Sequence, residues 1–252
     1  MQTVKDTNEQ YHSKDSISAS GLKTIFKKSV KHYIDRLPFT SKSMELGSAI
    51  HTIMLEGNEQ FYKDYYLLPK LDLRYKADKE QFKQHEKLAK GRKLLREDEM
   101  KIIDSVMMNF KSDQLAQESC KGEIELSHYG DFQGVPVRVR PDVKGDGFIA
   151  DVKTCQDNSP EAFRRDLYKY AYHLQACFYS DVLGFDPAEF RFIAVETNYP
   201  FTIQVYKLKP ETIERGRAAY QKAIDLWKLY LDTGLASGYV NEDQQQNGTI
   251  LL

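Results

Sequence analysis

The stretch Arg140-Pro-Asp-Val-Lys-Gly-Asp-Gly-Phe-Ile-Ala-Asp-Val-Lys-Thr154 decides how the rest of the chain is read. Two short apolar segments flank Gly145-Asp146-Gly147, a pattern that predicts a β-hairpin. Asp142 then ends the first strand, and Asp151 and Lys153 lie on the second. Strand side chains alternate faces, so Asp151, Lys153 and Ile149 share one face and Phe148, Ala150 and Val152 take the other. A strand this apolar on both faces belongs in the middle of a sheet. Two carboxylates at the end of a buried hairpin repel: about 4 Å apart at an effective dielectric of ~20, the cost is about 4 kcal/mol. A divalent cation converts that repulsion into binding, and carboxylate and carbonyl oxygens suit Mg²⁺ or Mn²⁺. A lysine beside the metal can orient or deprotonate a water, or stabilise charge on a phosphate oxygen. Asp142, Asp151 and Lys153 thus have the equipment for metal-assisted phosphodiester hydrolysis, although on spacing alone a surface hairpin with ordinary salt bridges accounts for them equally well.

Working outward, three further blocks stand in order around the hairpin: Ile17-Ser-Ala-Ser-Gly-Leu22, Leu46-Gly-Ser-Ala-Ile-His51 and Gln175-Ala-Cys-Phe-Tyr179. Pro141-Asp142 followed by Asp151-Val152-Lys153 resembles the PD-(D/E)xK nuclease signature. Gln175 to Tyr179 resembles the QxxxY helix of its RecB-like branch, and Gly47 to His51 the Gly-to-His helix of the same branch. Together the four blocks, over roughly residues 15 to 235, resemble the nuclease domain of exonuclease VIII, the RecE-type phage recombination exonucleases.

That resemblance implies an α/β fold: a restriction-endonuclease-like core, with a central mixed sheet flanked by helices, and an α-helical N-terminal addition. It implies Mg²⁺, with Mn²⁺ able to substitute, held by Asp142 and Asp151 with help from the Val152 carbonyl, His51 and an acid on the preceding strand. Position favours Glu125 as that acid, with Glu123 as the alternative. Lys153 and the metal would activate the attacking water, and Gln175 would face the site to position DNA or a lysine. Lys23, Lys27 and Lys28 become candidate phosphate contacts, and Tyr172 and Tyr179 candidates for stacking or support. The implied activity is a 5′→3′ exonuclease on linear double-stranded DNA ends, leaving 3′ single-stranded tails. A ring-like homo-oligomer and a phage single-strand annealing partner come with it. Other readings of the same fold are a single-strand or structure-specific nuclease, and a catalytically silent DNA-binding protein. Some relatives hold an iron–sulfur cluster on four cysteines; with three, this chain is expected to hold none.

Composition bounds these readings. At 252 residues, one domain with elaborations fits, here taken as residues 1–235 with a loose start over 1–14, a helical addition over 15–110, an αβ core over 120–232 and a mobile tail over 236–252. Net charge is −1, so overall charge does not advertise nucleic-acid binding, but its distribution is uneven. Residues 14–42 carry seven Lys/Arg against two Asp, and residues 70–101 eleven against seven Asp/Glu. Such patches can follow a DNA backbone, or be plain solvated faces. Cys120, Cys155 and Cys177 make no disulfide framework, and no apolar run reaches membrane length, so a cytoplasmic, membrane-free protein is expected.

In chain order, Ser18 or Ser20 can cap a helix to about Arg36, and Pro38 breaks the chain. Residues 42–56 predict a helix with Gly47 and His51 on one face. Residues 76–110 read as two charged helices, or one interrupted at Gly91, suited to wrapping DNA or to subunit contacts. Strands over 122–129, 133–142 and 147–155 form a meander. A single helix is expected from Ser159 to Leu183, with Tyr168, Tyr172, Gln175 and Tyr179 in one stripe at spacings of 4, 3 and 4. A second hairpin over 189–208 and a helix over 210–232 complete the order.

Overall fold

The computed structural model describes residues 1–37 and 41–239. The expected break at Pro38 and the tail from residue 240 lie outside the described residues. The N-terminal part contains β1 (Gln2–Val4), α1 (Asn8–His12), β2 (Ile17–Ser18), α2 (Ala19–Lys27) and α3 (Val30–Ile34). Next come α4 (Lys42–Leu55), α5 (Gly57–Asp64), β3 (Tyr65–Leu67), α6 (Lys76–Ala89) and β4 (Lys93–Leu95). Then follow α7 (Glu97–Ser112), α8 (Gln114–Ser119), β5 (Glu123–Ile124), β6 (Ser127–Phe132) and β7 (Val135–Val139). The chain closes with β8 (Val143–Lys144), β9 (Ile149–Cys155), α9 (Pro160–Lys169), α10 (Tyr172–Leu183), β10 (Arg191–Glu196), β11 (Ile203–Tyr206) and α11 (Pro210–Thr233).

The Gly145-Asp146-Gly147 hairpin forms as its residues predict. Val143 pairs with Ala150 and Lys144 with Ile149, and the Gly145 N–H donates to the Phe148 carbonyl. β9 is interior to a five-stranded mixed sheet of order β11-β10-β9-β8-β5. It runs parallel to β10, and α9 and α10 supply the crossover that a parallel pair requires. Its alternation sends Ile149 into one apolar cluster and Phe148, Ala150 and Val152 into another. The first cluster, with Leu22, Ile25, Leu174, Phe178 and Ile224, joins α2, α10 and α11 to one face. The second, with Ile50, Ile53, Ile103 and Val106, joins α4 and α7 to the other. Each fully buried side chain of this size contributes about 1.5–3 kcal/mol. The site is thus held between two helical layers.

Five expectations change. The meander is divided between two sheets: β5 and β8 join the five-stranded sheet, whereas β6 and β7 belong to a four-stranded sheet of order β1-β6-β7-β2. Glu125, at φ 50° in the left-handed region, breaks the expected 122–129 strand where the chain passes from one sheet to the other. The start of the chain is ordered rather than loose: β1 pairs with β6, Thr7 and Gln10 form a reciprocal cap on α1, and Tyr11 is buried. The first helix is two, because Ser29 caps α3 by accepting from the His32 N–H. The 159–183 helix is also two, broken at Ala171 with φ 50°. That break turns α10 inward so that every residue from His173 to Ser180 is buried, and it removes Tyr168 from the expected stripe. Residues 15–110 include β2, β3 and β4 besides helices, and α2 and α4 form part of the two layers over the sheet. The second hairpin and the last helix stand where the sequence puts them.

Candidate active site

Asp142 follows Pro141, where the chain leaves β7 for β8. Proline has no N–H to extend a ladder, which suits a crossing between sheets. The hairpin register then brings Asp142 beside β9, and its Oδ2 accepts from the Val152 N–H at 2.7 Å. The same oxygen is 3.0 Å from Nε2 of His51 on α4. His51 reaches there because Gly47, one turn earlier, lets α4 approach β9 closely: a Cβ at Gly47 would sit 2.8 Å from the Thr154 hydroxyl. Nδ1 of His51 lies 3.0 Å from Oε1 of Glu125, so the ring bridges two carboxylates. Burial disfavours the imidazolium, but Asp142 and Glu125 outweigh it and hold His51 protonated well above the ordinary 6.5. Glu123 is elsewhere: it is exposed and pairs with Lys144 at 2.7 Å. Of the two candidate acids, Glu125 is the one brought to the site.

Asp151 is 1% exposed. Its Oδ1 accepts from Gln175 Nε2 at 2.6 Å, and the Lys153 ammonium touches Oδ2 at 2.5 Å. Oδ2 is buried against that ammonium, a contact that offsets part of the cost of burying it. Burial, then the charge of Asp142, raises the Asp151 carboxyl above the usual 3.8. Asp142 is lowered despite its burial, because His51, Lys153 and the Val152 N–H favour its charged form. For Lys153, burial opposes the charge, but Asp151 and Asp142 prevail and keep it protonated. Two buried acids side by side are thus pushed in opposite directions by their partners.

Lys23 and Lys153 share the Tyr172 ring, at 5.5 Å and 4.8 Å from its centroid. The Lys23 ammonium donates to Gln175 Oε1 at 2.8 Å, so Lys23, Gln175 and Asp151 form a chain of hydrogen bonds. Burial brings Lys23 down from 10.5 to about 7, with the Lys153 charge adding to it. The three lysines named as candidate phosphate contacts therefore diverge. Lys23 turns inward, Lys27 donates to the Lys169 carbonyl at 2.6 Å, and Lys28 stays exposed at the helix end. One sequence signal was available: Lys23 is one turn after buried Ala19, on the edge of the apolar stripe. Tyr179 is buried against Tyr11 and the Arg140 backbone, and offers no face for a base to stack on. Tyr172 lines an open cleft of about 470 Å³ together with His51, Glu125, Val152, Lys153 and Thr154.

Residues 18–239 match the family described as the PDDEXK-like domain of unknown function (DUF3799). The chain belongs to this family. The PDDEXK-like fold is also that of a Eubacterium rectale protein whose crystal structure is described as that of a "Putative exonuclease". The two superpose with a TM-score of 0.62 at 14% identity, over 99% of this chain and 96% of the other. A search of curated proteins returns no match. In this PDDEXK-like domain no helix among the described residues is long and apolar enough to cross a membrane.

The donor set of the domain suits a hard divalent cation: His51 and Glu125 line the cleft, the His51 ring joins Glu125 to Asp142, and Asp151 sits against Lys153 of the same cleft wall. No three of the described His, Cys, Asp or Glu side chains form a ready-made cage, since the His51 ring spans Glu125 and Asp142 and Lys153 covers Asp151. Asp142, Asp151, Glu125 and His51 are the residues that would hold a metal. Val152 meets the group through its N–H.

Proposed function

We propose that this PDDEXK-like domain is a metal-dependent deoxyribonuclease. The observation that carries the reading is the buried pair Asp142 and Asp151, held by the Val152 N–H, Gln175 and Lys153 beside the open cleft that His51, Glu125, Val152 and Lys153 line. A bound Mg²⁺ would supply Lewis-acid stabilisation of the phosphate and a more acidic water. The protein's own groups do the rest. Lys153, kept protonated by its two aspartates, is a donor to the attacking water or to a phosphate oxygen. Gln175 fixes the Asp151 carboxylate through Nε2, and Lys23 fixes the Gln175 amide from behind. Tyr172 forms an apolar wall beside both ammonium groups.

The resemblance to RecE-type enzymes refines this to a 5′→3′ exonuclease acting on linear duplex ends and leaving 3′ single-stranded tails. A ring-like homo-oligomer and a single-strand annealing partner belong to the same reading. The test is digestion of 5′-end-labelled linear duplex with Mg²⁺, beside EDTA, a closed circle and Asp151→Ala. Release of labelled nucleotide from the linear substrate alone, abolished by EDTA and by Asp151→Ala, is the expected result. Cutting of the circle would replace the exonuclease with an endonuclease. No cutting of any substrate with Mg²⁺ or Mn²⁺ would sink the catalytic reading.

A further inference from the structure

The excursion between β3 and β4 is rooted in the wall of the cleft. These two strands pair in parallel, Tyr65 opposite Lys93, and both of those residues line the same cleft as His51, Glu125 and Lys153. Between the roots the chain carries α6. Lys76, Lys79, Lys83 and Lys87, followed by Lys90 at the helix end, recur at intervals of 3, 4, 4 and 3 residues. At about 100° per residue these five lie within about 80° of one another, in a row about 21 Å long. All five are exposed, and none is in an ion pair.

The other side of α6 is its anchor. Ala89 is buried, Phe82 and His85 are half-buried, and His85 Nδ1 meets the Tyr66 hydroxyl at 2.8 Å. The Arg92 guanidinium lies 4.9 Å from the same tyrosine ring. Two of the acids nearby are already engaged: Asp72 with Arg74, and Asp78 with the Asp72 N–H. Glu80 and Glu86 flank the row without pairing to it. From Lys70 to Lys93 the chain carries nine Lys/Arg against four Asp/Glu, in a protein whose net charge is −1. A plainly solvated helix intermixes its signs and forms i,i+4 pairs, as Glu97 and Lys101 do on α7. The α6 row has one sign and no pairs.

We propose that α6 is a DNA-tracking arm whose lysine row binds the phosphate backbone of the duplex as it approaches the cleft. At ~3.4 Å of axis per phosphate, a row of about 21 Å faces about six phosphates of one strand. The inference rests on the nuclease reading of the cleft and adds the path of the substrate outside it.

The test compares the full chain with a variant in which Lys76, Lys79, Lys83, Lys87 and Lys90 are each changed to Gln. Binding to a labelled linear duplex is measured from 50 to 300 mM KCl with Ca²⁺ in place of Mg²⁺. Hydrolysis of bis(4-nitrophenyl) phosphate, a diester too small to reach the arm, is followed with Mg²⁺ or Mn²⁺, and the oligomeric state by sedimentation. The variant is expected to bind at least tenfold more weakly at 100 mM salt, with the slope of log K against log salt reduced by about 3–4. Its hydrolysis of the small diester and its oligomeric state stay as in the unmodified chain. An unchanged affinity and salt slope overturns the arm, whatever the diester result. A changed oligomeric state also overturns it and makes the row a subunit contact. If neither protein hydrolyses either substrate, the nuclease reading fails, while the salt slope still decides whether α6 binds DNA.

Discussion

Lys23 meets Gln175 across 152 residues of chain, and the contact sets which way the Gln175 amide faces. With the oxygen held by the ammonium, the NH₂ is left to donate to Asp151. If that is how Lys23 acts, its effect passes through Gln175. In single-turnover cleavage of linear duplex, Lys23→Met and Gln175→Met are each expected to lose about tenfold, equivalent to about 1.4 kcal/mol. The double variant should then lose little more than the worse single one, because residues acting as a unit are non-additive. Lys23→Arg, which keeps a donor, should recover part of the loss. Additive losses would instead make Lys23 an independent contact to the substrate. The inward turn of the Lys23 ammonium depends on its contact with α10, which local periodicity does not report. Asp142, Asp151 and Lys153 were legible for the opposite reason. A short hairpin fixes their register, and the turn residues and the alternation both lie within fifteen positions of one another.

At the scale of elements, the strap formed by β1 and α1 holds the residue just before Pro141. Asp6 pairs with Arg140 at 2.5 Å, Ser127 and Tyr129 donate to Asp6, and Arg140 also reaches Asn8 and the carbonyls of Asp6 and Thr7. Burial pushes the Asp6 carboxyl up, but the hydrogen bonds from Ser127, Tyr129 and Arg140 outweigh it and bring it below 3.8. A depressed folded-state pKa adds stability that is present above the unfolded value and is lost as pH falls through the folded one. The melting temperature of Asp6→Asn should therefore lie below that of the unmodified chain by a constant amount above about pH 5, and the gap should narrow progressively as the pH falls below about 4. A gap that does not narrow at all on acidification would show that the carboxylate charge is not what the strap uses. Asp6→Ala, which strands Arg140, should cost on the order of 2 kcal/mol. Beyond the Thr7-to-Gln10 spacing of a capping box, the polar stretch from Met1 to Lys14 does not announce this strap: a three-residue strand gains its order by pairing with β6, not from its own residues. The same holds for the break at Ala171 and for the division of the meander into two sheets. Each answers to packing between distant segments, whereas the caps, glycine turns and alternating runs that located the two hairpins and α11 are local.

Across the whole molecule, the candidate metal ligands come from both sides of the sheet junction. His51 arrives on α4 from one helical layer, Gln175 and Lys23 support Asp151 from the other, and Glu125 and Asp142 mark the two crossings between sheets. The unfolded chain brings none of these together, so a cation that binds here binds the folded state alone and must raise its stability. At a hundred times the dissociation constant the gain is about 2.7 kcal/mol. For a chain of this size that is a rise in melting temperature of about 5–10 °C. Titration with Ca²⁺ or Mg²⁺ in a thermal-shift assay is expected to show this rise, EDTA to reverse it, and Asp142→Ala and Asp151→Ala to remove it when each is compared with its own metal-free value. Five lysine changes on α6 should leave it intact, since the arm touches no ligand. An equal rise in the two aspartate variants would move the metal elsewhere, and no rise at 10 mM of either cation would mean that the buried acids are balanced by His51 and Lys153 alone.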